Sequence, residues 1–155
     1  MQSFRRHLCD LLGAFVQLER GGPDACRGWL VHVKTDYVTL RSPERSDLHL
    51  PIHHIRSVTR LSPECHCPDL AQEDPPPESF AELLALQVGQ WVRLYHSGPE
   101  LTVGILRACD QDHLLVEIAP EHETCFALFH VRSLMVGEGV KDLFPLESEE
   151  PSQGR

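Results

Sequence analysis

Ile52-His53-His54-Ile55-Arg56-Ser57-Val58 returns 76 residues later as Leu128-Phe129-His130-Val131-Arg132-Ser133-Leu134. The echo spreads outward without a gap, so that residues 8–61 lie over 84–137. Twelve of those 54 positions are identical, among them Leu8/Leu84, Gly13/Gly89, Gly28/Gly104, Leu30/Leu106, Asp36/Asp112 and His54/His130. Composition alone gives roughly three or four. Apolar character also recurs at Val38/Leu114, Leu40/Val116 and Ile52/Leu128. Such a period decides the architecture before any element is assigned. Two copies are too few for a solenoid, so the chain reads as two small domains, 1–61 and 80–137. A linker, 62–79, joins them, and an acidic tail, 138–155, follows. Units of this size bury little core. They are expected to pack on each other or on copies of the chain.

Each repeat opens with a helical pattern. Ser3 is positioned to cap a helix whose apolar face carries Phe4, Leu8, Leu11 and Leu12, with Gly13 as its stop. Ser79 and Glu82 form a capping-box pattern before Phe80, Leu83, Leu84 and Val88, and Gly89 ends it. Five strands are predicted next. Phe15–Arg20 alternates apolar and polar. Arg27–Val33 begins with Gly28, a residue suited to a sharp bend. Tyr37–Leu40, Leu48–Ile52 and His54–Arg60 complete the set, and 90–96, 101–109, 113–118, 124–129 and 130–136 repeat it. Short bent strands in so few residues suit a small closed barrel. The expected fold is therefore mainly β: two tandem five-stranded barrels, each preceded by a short helix.

Charge is unevenly spread over the 155 residues. The net −9 divides into +3 for 1–61, −6 for 62–82, −3 for 83–137 and −3 for 138–155. An acidic total disfavours general nucleic-acid binding, which depends on neutralising phosphates, although the basic first repeat leaves a narrow opening. No stretch approaches the length of apolar chain that crosses a bilayer. Asp10 interrupts the apolar start, and no small-residue cleavage site follows. A cytoplasmic location with six reduced cysteines is expected.

Drawn as a helix and five strands, the repeat resembles the Sm-like fold, an SH3-type barrel. The likeness runs through Gly13-x-x-Val16-x-Leu18, Gly28-x-Leu30, Asp36-Tyr37-Val38-Thr39-Leu40 and Ile52 to Val58. The bacterial host-factor RNA chaperone family has a similar order and a late Lys-His-Ala-Ile-Ser-Thr segment. Ile52 stands where that Lys would be and His53 at its His, while Leu128 and Phe129 take both places in the second repeat. The RNA-contacting pair is thus half lost in one repeat and wholly lost in the other. The repeats look closer to a small-domain family of unknown function from spore-forming bacteria. The shared order is Gly13…Gly28…Asp36-Tyr37-Val38 and a late Pro51-Ile52-His53-His54-Ile55-Arg56-Ser57. Some members are associated with the spore or its coat. This resemblance implies a forespore or coat location and coat proteins as partners.

Several clusters are candidates for chemistry. His49, His53 and His54 crowd one end of the first repeat, with His32 expected near them, and only His54 recurs, as His130. On a strand, neighbours point to opposite faces, so His53 and His54 are not expected to enter one site. A rim histidine with a backbone partner is the favoured reading over a ligand. Arg56 and Arg132 are forks for carboxylate or phosphate, with Asp36 and Asp112 as the expected internal partners. Cys65-His66-Cys67 is a weak zinc candidate, because it lacks the second ligand pair that zinc sites use. Crosslinking between chains is an alternative there. No P-loop, Gly-x-Ser-x-Gly or His-Glu-x-x-His is present. No cofactor and no enzyme activity are implied.

Two functions follow. The first is a non-catalytic scaffold or interaction module, self-associating or joining coat proteins through strand edges that carry Leu50, Ile52, Phe126 and Leu128. The alternative is RNA binding by the first repeat through Arg27, Lys34, Arg41, His53, Arg56 and Arg60, with Phe15, Trp29 and Tyr37 as stacking platforms.

Overall fold

Ser3 starts the first helix as its sequence requires. Its Oγ accepts the Arg6 amide at 3.1 Å, satisfying a donor that the first turn leaves unpaired. This helix, α1 (Phe4–Asp10), buries Leu8 completely. Leu11, just beyond, is nearly buried, whereas Phe4 and Leu12 are 39% and 47% exposed. The apolar face is therefore narrower than the pattern implies. Gly13 then takes φ +90°, a left-handed turn that glycine adopts at little cost. Gly89 does the same at φ +94°.

The computed structural model describes residues 3–21, 25–66, 74–95 and 101–137, with the backbone alone for 62–66. It is mainly β and divides into two compact units, Met1–Leu83 and Leu84–Arg155. In the first unit the strands are β1 (Ala14–Leu18), β2 (Cys26–Val33), β3 (Tyr37–Arg41), β4 (Asp47–Pro51) and β5 (Val58–His66). They pair antiparallel in the order β5-β1-β2-β3-β4. The second helix, α2 (Phe80–Ala85), precedes β6 (Trp91–Leu94), β7 (Thr102–Cys109), β8 (His113–Ala119), β9 (His122–Ala127) and β10 (Leu134–Val136). Their order is β10-β6-β7-β8-β9.

Several irregularities fall at one spacing. The β2–β3 register shifts between Leu30 and His32, and the β7–β8 register between Leu106 and Ala108. Left-handed residues occur at Glu19 and Tyr95, and again at Arg45 and Glu121. Gly28 and Gly104 sit where strands cross closely. A Cβ added there would lie 2.7 Å from Arg41 O or 2.5 Å from Glu117 O, both backbone atoms. The bend needs the missing side chain in each case.

The core of the first unit alternates as strands dictate: Val16 and Leu18, Val38 and Leu40, Leu48 and Leu50 are buried. Leu84, Val92, Leu94, Leu106, Leu114 and Val116 do the same in the second. β3 is buried along its whole length, so Tyr37, Thr39 and Arg41 are covered on the opposite face.

Three expectations change. Among the described residues no ladder joins β4 to β5 or β9 to β10, so the strand pairing gives open antiparallel meanders rather than closed barrels. The reason lies in the connection. Ile52–His54 forms a 3-10 turn, not strand, and carries the chain away from β4 before β5 pairs with β1. Leu128–His130 forms a second 3-10 turn after β9. Finally, β5 continues to His66, through residues whose composition reads as linker. Cys67 and the acidic tail lie outside the described residues, as do the side chains of Cys65 and His66.

Candidate functional site

The polar groups of the first unit collect at three places. The first is the rim beside the Ile52–His54 turn. Glu19 ends β1 in a left-handed conformation, φ +63°, and its side chain is only 8% exposed. Its carboxylate accepts the Arg56 backbone amide at 2.5 Å and the Arg56 Nε at 2.7 Å. The Glu19 amide in turn donates to Ser57 O at 3.0 Å. A buried carboxylate is tolerable only with such partners. This corrects the expected pairing of Arg56 with Asp36. Asp36 instead accepts the Ile52 amide on its backbone oxygen and the Phe80 amide on Oδ1. Asp112 likewise accepts the Leu128 amide on its backbone oxygen, and its Oδ1 lies 2.8 Å from His113 Nδ1. Tyr95 occupies the place of Glu19 in the second unit, and its hydroxyl donates to His130 O at 2.7 Å.

His53 and His54 lie on the same rim with ring centroids 4.2 Å apart. They are not on a strand with opposite-facing neighbours: a 3-10 turn advances only a third of a turn per residue and leaves neighbours adjacent. His53 is exposed and His54 half-buried.

The second place is the outer face of β2, β3 and β4. His32, Thr39 and His49 are in register across the three strands. Thr39 Oγ1 is 2.8 Å from His49 Nδ1. Burial pushes the His49 pKa down from 6.5 to about 4, reinforced by His32 and Arg41 and opposed by Asp47. Beside them Arg41, 6% exposed, grips Asp47 through two bonds of 2.8 and 3.0 Å. Such a bidentate fork satisfies both charges in one geometry. Trp29 lies opposite Arg41 and stacks edge-on to Phe15 at 5.3 Å.

The third place is the β2–β3 turn, where the chain preceding α2 returns. Tyr37 Oη donates to Pro77 O at 2.7 Å, and the Thr35 amide to Glu78 O at 3.0 Å. Lys34 Nζ meets Glu78 at 3.4 Å. Phe80 packs on Tyr37 with centroids 5.9 Å apart. Burial, then the charges of Glu78, Asp36 and Glu82, push the Tyr37 pKa up to about 12. The capping box forms as well: Ser79 Oγ accepts the Glu82 amide and Glu82 Oε1 accepts the Ser79 amide, each at 3.1 Å.

These contacts engage much of the basic set. Lys34, Arg41 and Arg56 each pair with a carboxylate, although Arg56 keeps a 76% exposed side chain. Arg27 donates to Gln17 at 2.8 Å, and Arg132 is exposed. Of the edge residues, Leu50 is buried in β4 and Phe126 is half-buried in β9. Ile52 and Leu128 begin the 3-10 turns, beyond the ladders. Among the described residues, no group of three or more His, Cys, Asp or Glu is placed to hold a metal ion. Cys9, Cys26, Cys109 and Cys125 are not disulfide-bonded. Burial and Asp110 push the Cys109 thiol up. No described helix is long and apolar enough to cross a membrane. Sequence reading missed Glu19, Asp47 and the Pro77–Glu78 docking. Glu19 carried a weak signal, an acidic residue closing an alternating strand.

Comparison with known proteins gives one relative of direct bearing. Over 140 residues the chain is 29% identical to Spore coat protein B of Bacillus subtilis (strain 168). The alignment spans 86% of this chain and 35% of that protein, so the chain matches about a third of its relative's length. No family model matches the chain. No solved structure matches it.

Proposed function

We propose that the chain is a non-catalytic interaction module of the spore coat, built from two tandem Sm-like units that assemble through strand edges. The similarity to Spore coat protein B, over most of this chain, carries the reading. The strand order, fifth-first-second-third-fourth in each unit, supports it. So do the irregularities that recur 76 residues apart: the register shifts and the left-handed turns. The edges suited to assembly are chosen by exposure. β9 presents His122, Glu123, Thr124 and Cys125 to solvent, and β5 presents Thr59, Arg60 and Leu61. β4, by contrast, buries Leu48, Leu50 and Pro51. An exposed strand offers backbone donors and acceptors to another strand. The polar clusters, as described, are spent on holding turns and paired strands together, which suits a scaffold.

The test is direct. Antibody detection in fractionated sporulating cells is expected to place the chain in the coat extract of mature spores. Light scattering is expected to give a mass above that of one chain. Absence from the coat fraction together with a monomer at all concentrations refutes the reading. Salt-dependent retention of a single-stranded oligonucleotide, lost in Arg56→Ala, would replace it with RNA binding.

A further inference from the structure

The second unit carries a turn equivalent to the one that holds Pro77 to Phe80, and there the Asp112 carboxylate meets its neighbour His113 instead of an incoming segment. In the first unit the turn between β2 and β3 receives the Ser79-Phe80 segment. Asp36 Oδ1 accepts the Phe80 amide at 2.8 Å, and the Phe80 ring, 4% exposed, packs on Tyr37. Moved by 76 residues, Asp36 becomes Asp112 and Tyr37 becomes His113, in the turn between β7 and β8. The side chain of Asp112 is 91% exposed and that of His113 is 42% exposed. The same shift turns Ser79-Phe80 into Ser3-Phe4, which opens α1. Phe4 is 39% exposed where its counterpart is buried.

We propose that the β7–β8 turn, Asp110 to His113, is a docking site for the Ser3-Phe4-Arg5-Arg6 segment of a second copy of this chain. The inference rests on the tandem reading proposed above. Asp112 receives the Phe4 amide as Asp36 receives that of Phe80, and the Phe4 ring lies on His113. Charge favours this occupant. Asp110 and Asp112 flank the turn, and Arg5 and Arg6 follow Phe4, all of them exposed. The contact is heterologous, joining different patches of two copies, so it extends into a row or closes into a ring. It also explains why an aromatic residue stands unburied at the head of α1.

Sedimentation velocity on the full chain tests it, across about a hundredfold range of concentration. Phe4→Ala and Asp112→Ala are each expected to weaken self-association at least tenfold, the scale of one charge-assisted hydrogen bond. Both side chains are exposed, and thermal melts check that the variants fold. Asp112→Asn, nearly isosteric, serves if Asp112→Ala disturbs the turn. The decisive sample is an equimolar mixture. Asp112→Ala still offers Phe4, and Phe4→Ala still offers Asp112, so together they form dimers that cannot extend. Wild-type assembly that neither variant weakens overturns the docking site but leaves edge-strand assembly standing. A mixture no more associated than either variant alone also overturns the docking site. A wild-type chain that is monomeric throughout overturns both.

Discussion

Acidification singles out one histidine. His49 is half-buried beside Thr39 and is held down to a pKa of about 4 from an ordinary 6.5. Its folded value is below the unfolded one. The stability it contributes as a neutral ring is therefore whole above about pH 6.5 and is lost as pH falls toward about pH 4. With those two values, the proton-linked loss between about pH 7 and about pH 4.5 is about 2 kcal/mol. The chain carries nine other histidines and 23 carboxylates, so the measurement is a difference. Urea denaturation of the wild type and of His49→Gln at both pH values isolates this group. The variant is less stable at neutral pH, and the gap is expected to narrow by about 2 kcal/mol on acidification. An NMR titration should show the His49 ring taking up its proton only near pH 4. Parallel losses in the two proteins would refute the reasoning, because they would mean that folding does not perturb this ring.

Three further outcomes follow from the packing. Gly28→Ala and Gly104→Ala force a Cβ against the backbone oxygens of Arg41 and Glu117, and each is expected to cost about 1–3 kcal/mol. Gly21→Ala, with nothing within 4 Å of its added Cβ, should leave the thermal midpoint nearly unchanged, and equal shifts in all three would contradict the close-crossing argument. Glu19→Ala removes both acceptors from Arg56 and is expected to cost about 1–3 kcal/mol by chemical denaturation. Tyr37→Phe deletes the bond to Pro77 O, and faster amide exchange at Thr35 and Phe80 is the expected result. Alkali should do the same in the wild type. The Tyr37 pKa is raised, so its contribution is present below about pH 10 and lost as pH climbs through about pH 12.

Much of the secondary structure was legible because its causes are local. Alternation placed β1, the 76-residue period carried the strand order into the second repeat, and the Ser79/Glu82 pair announced α2. Glycine at 28 and 104 marked the bends. Misreadings fell where a neighbour in space, not in sequence, sets the conformation. Ile52 reads as the end of one strand and His54 as the start of the next, yet the Ile52 amide binds Asp36 O and the Ile55 amide binds Ile52 O, which winds the segment into a 3-10 turn. Pro75-Pro76-Pro77 reads as a detached linker, yet the oxygen of Pro77 is claimed by Tyr37 from 40 residues away.

The sequence by itself therefore determined the period, the helix-and-strand order within each repeat, and the positions that must be glycine. Those depend on side-chain spacing and on backbone freedom, which any short window of chain displays. Tertiary structure alone decided the partners: Glu19 rather than Asp36 for Arg56, His54 beside His53, and Asp36 as acceptor for the Phe80 amide. It also decided that β5 pairs with β1 and not with β4. These are long-range choices among groups of the same chemistry. Geometry selects between them, because a buried charge must find its partner wherever the fold has carried it.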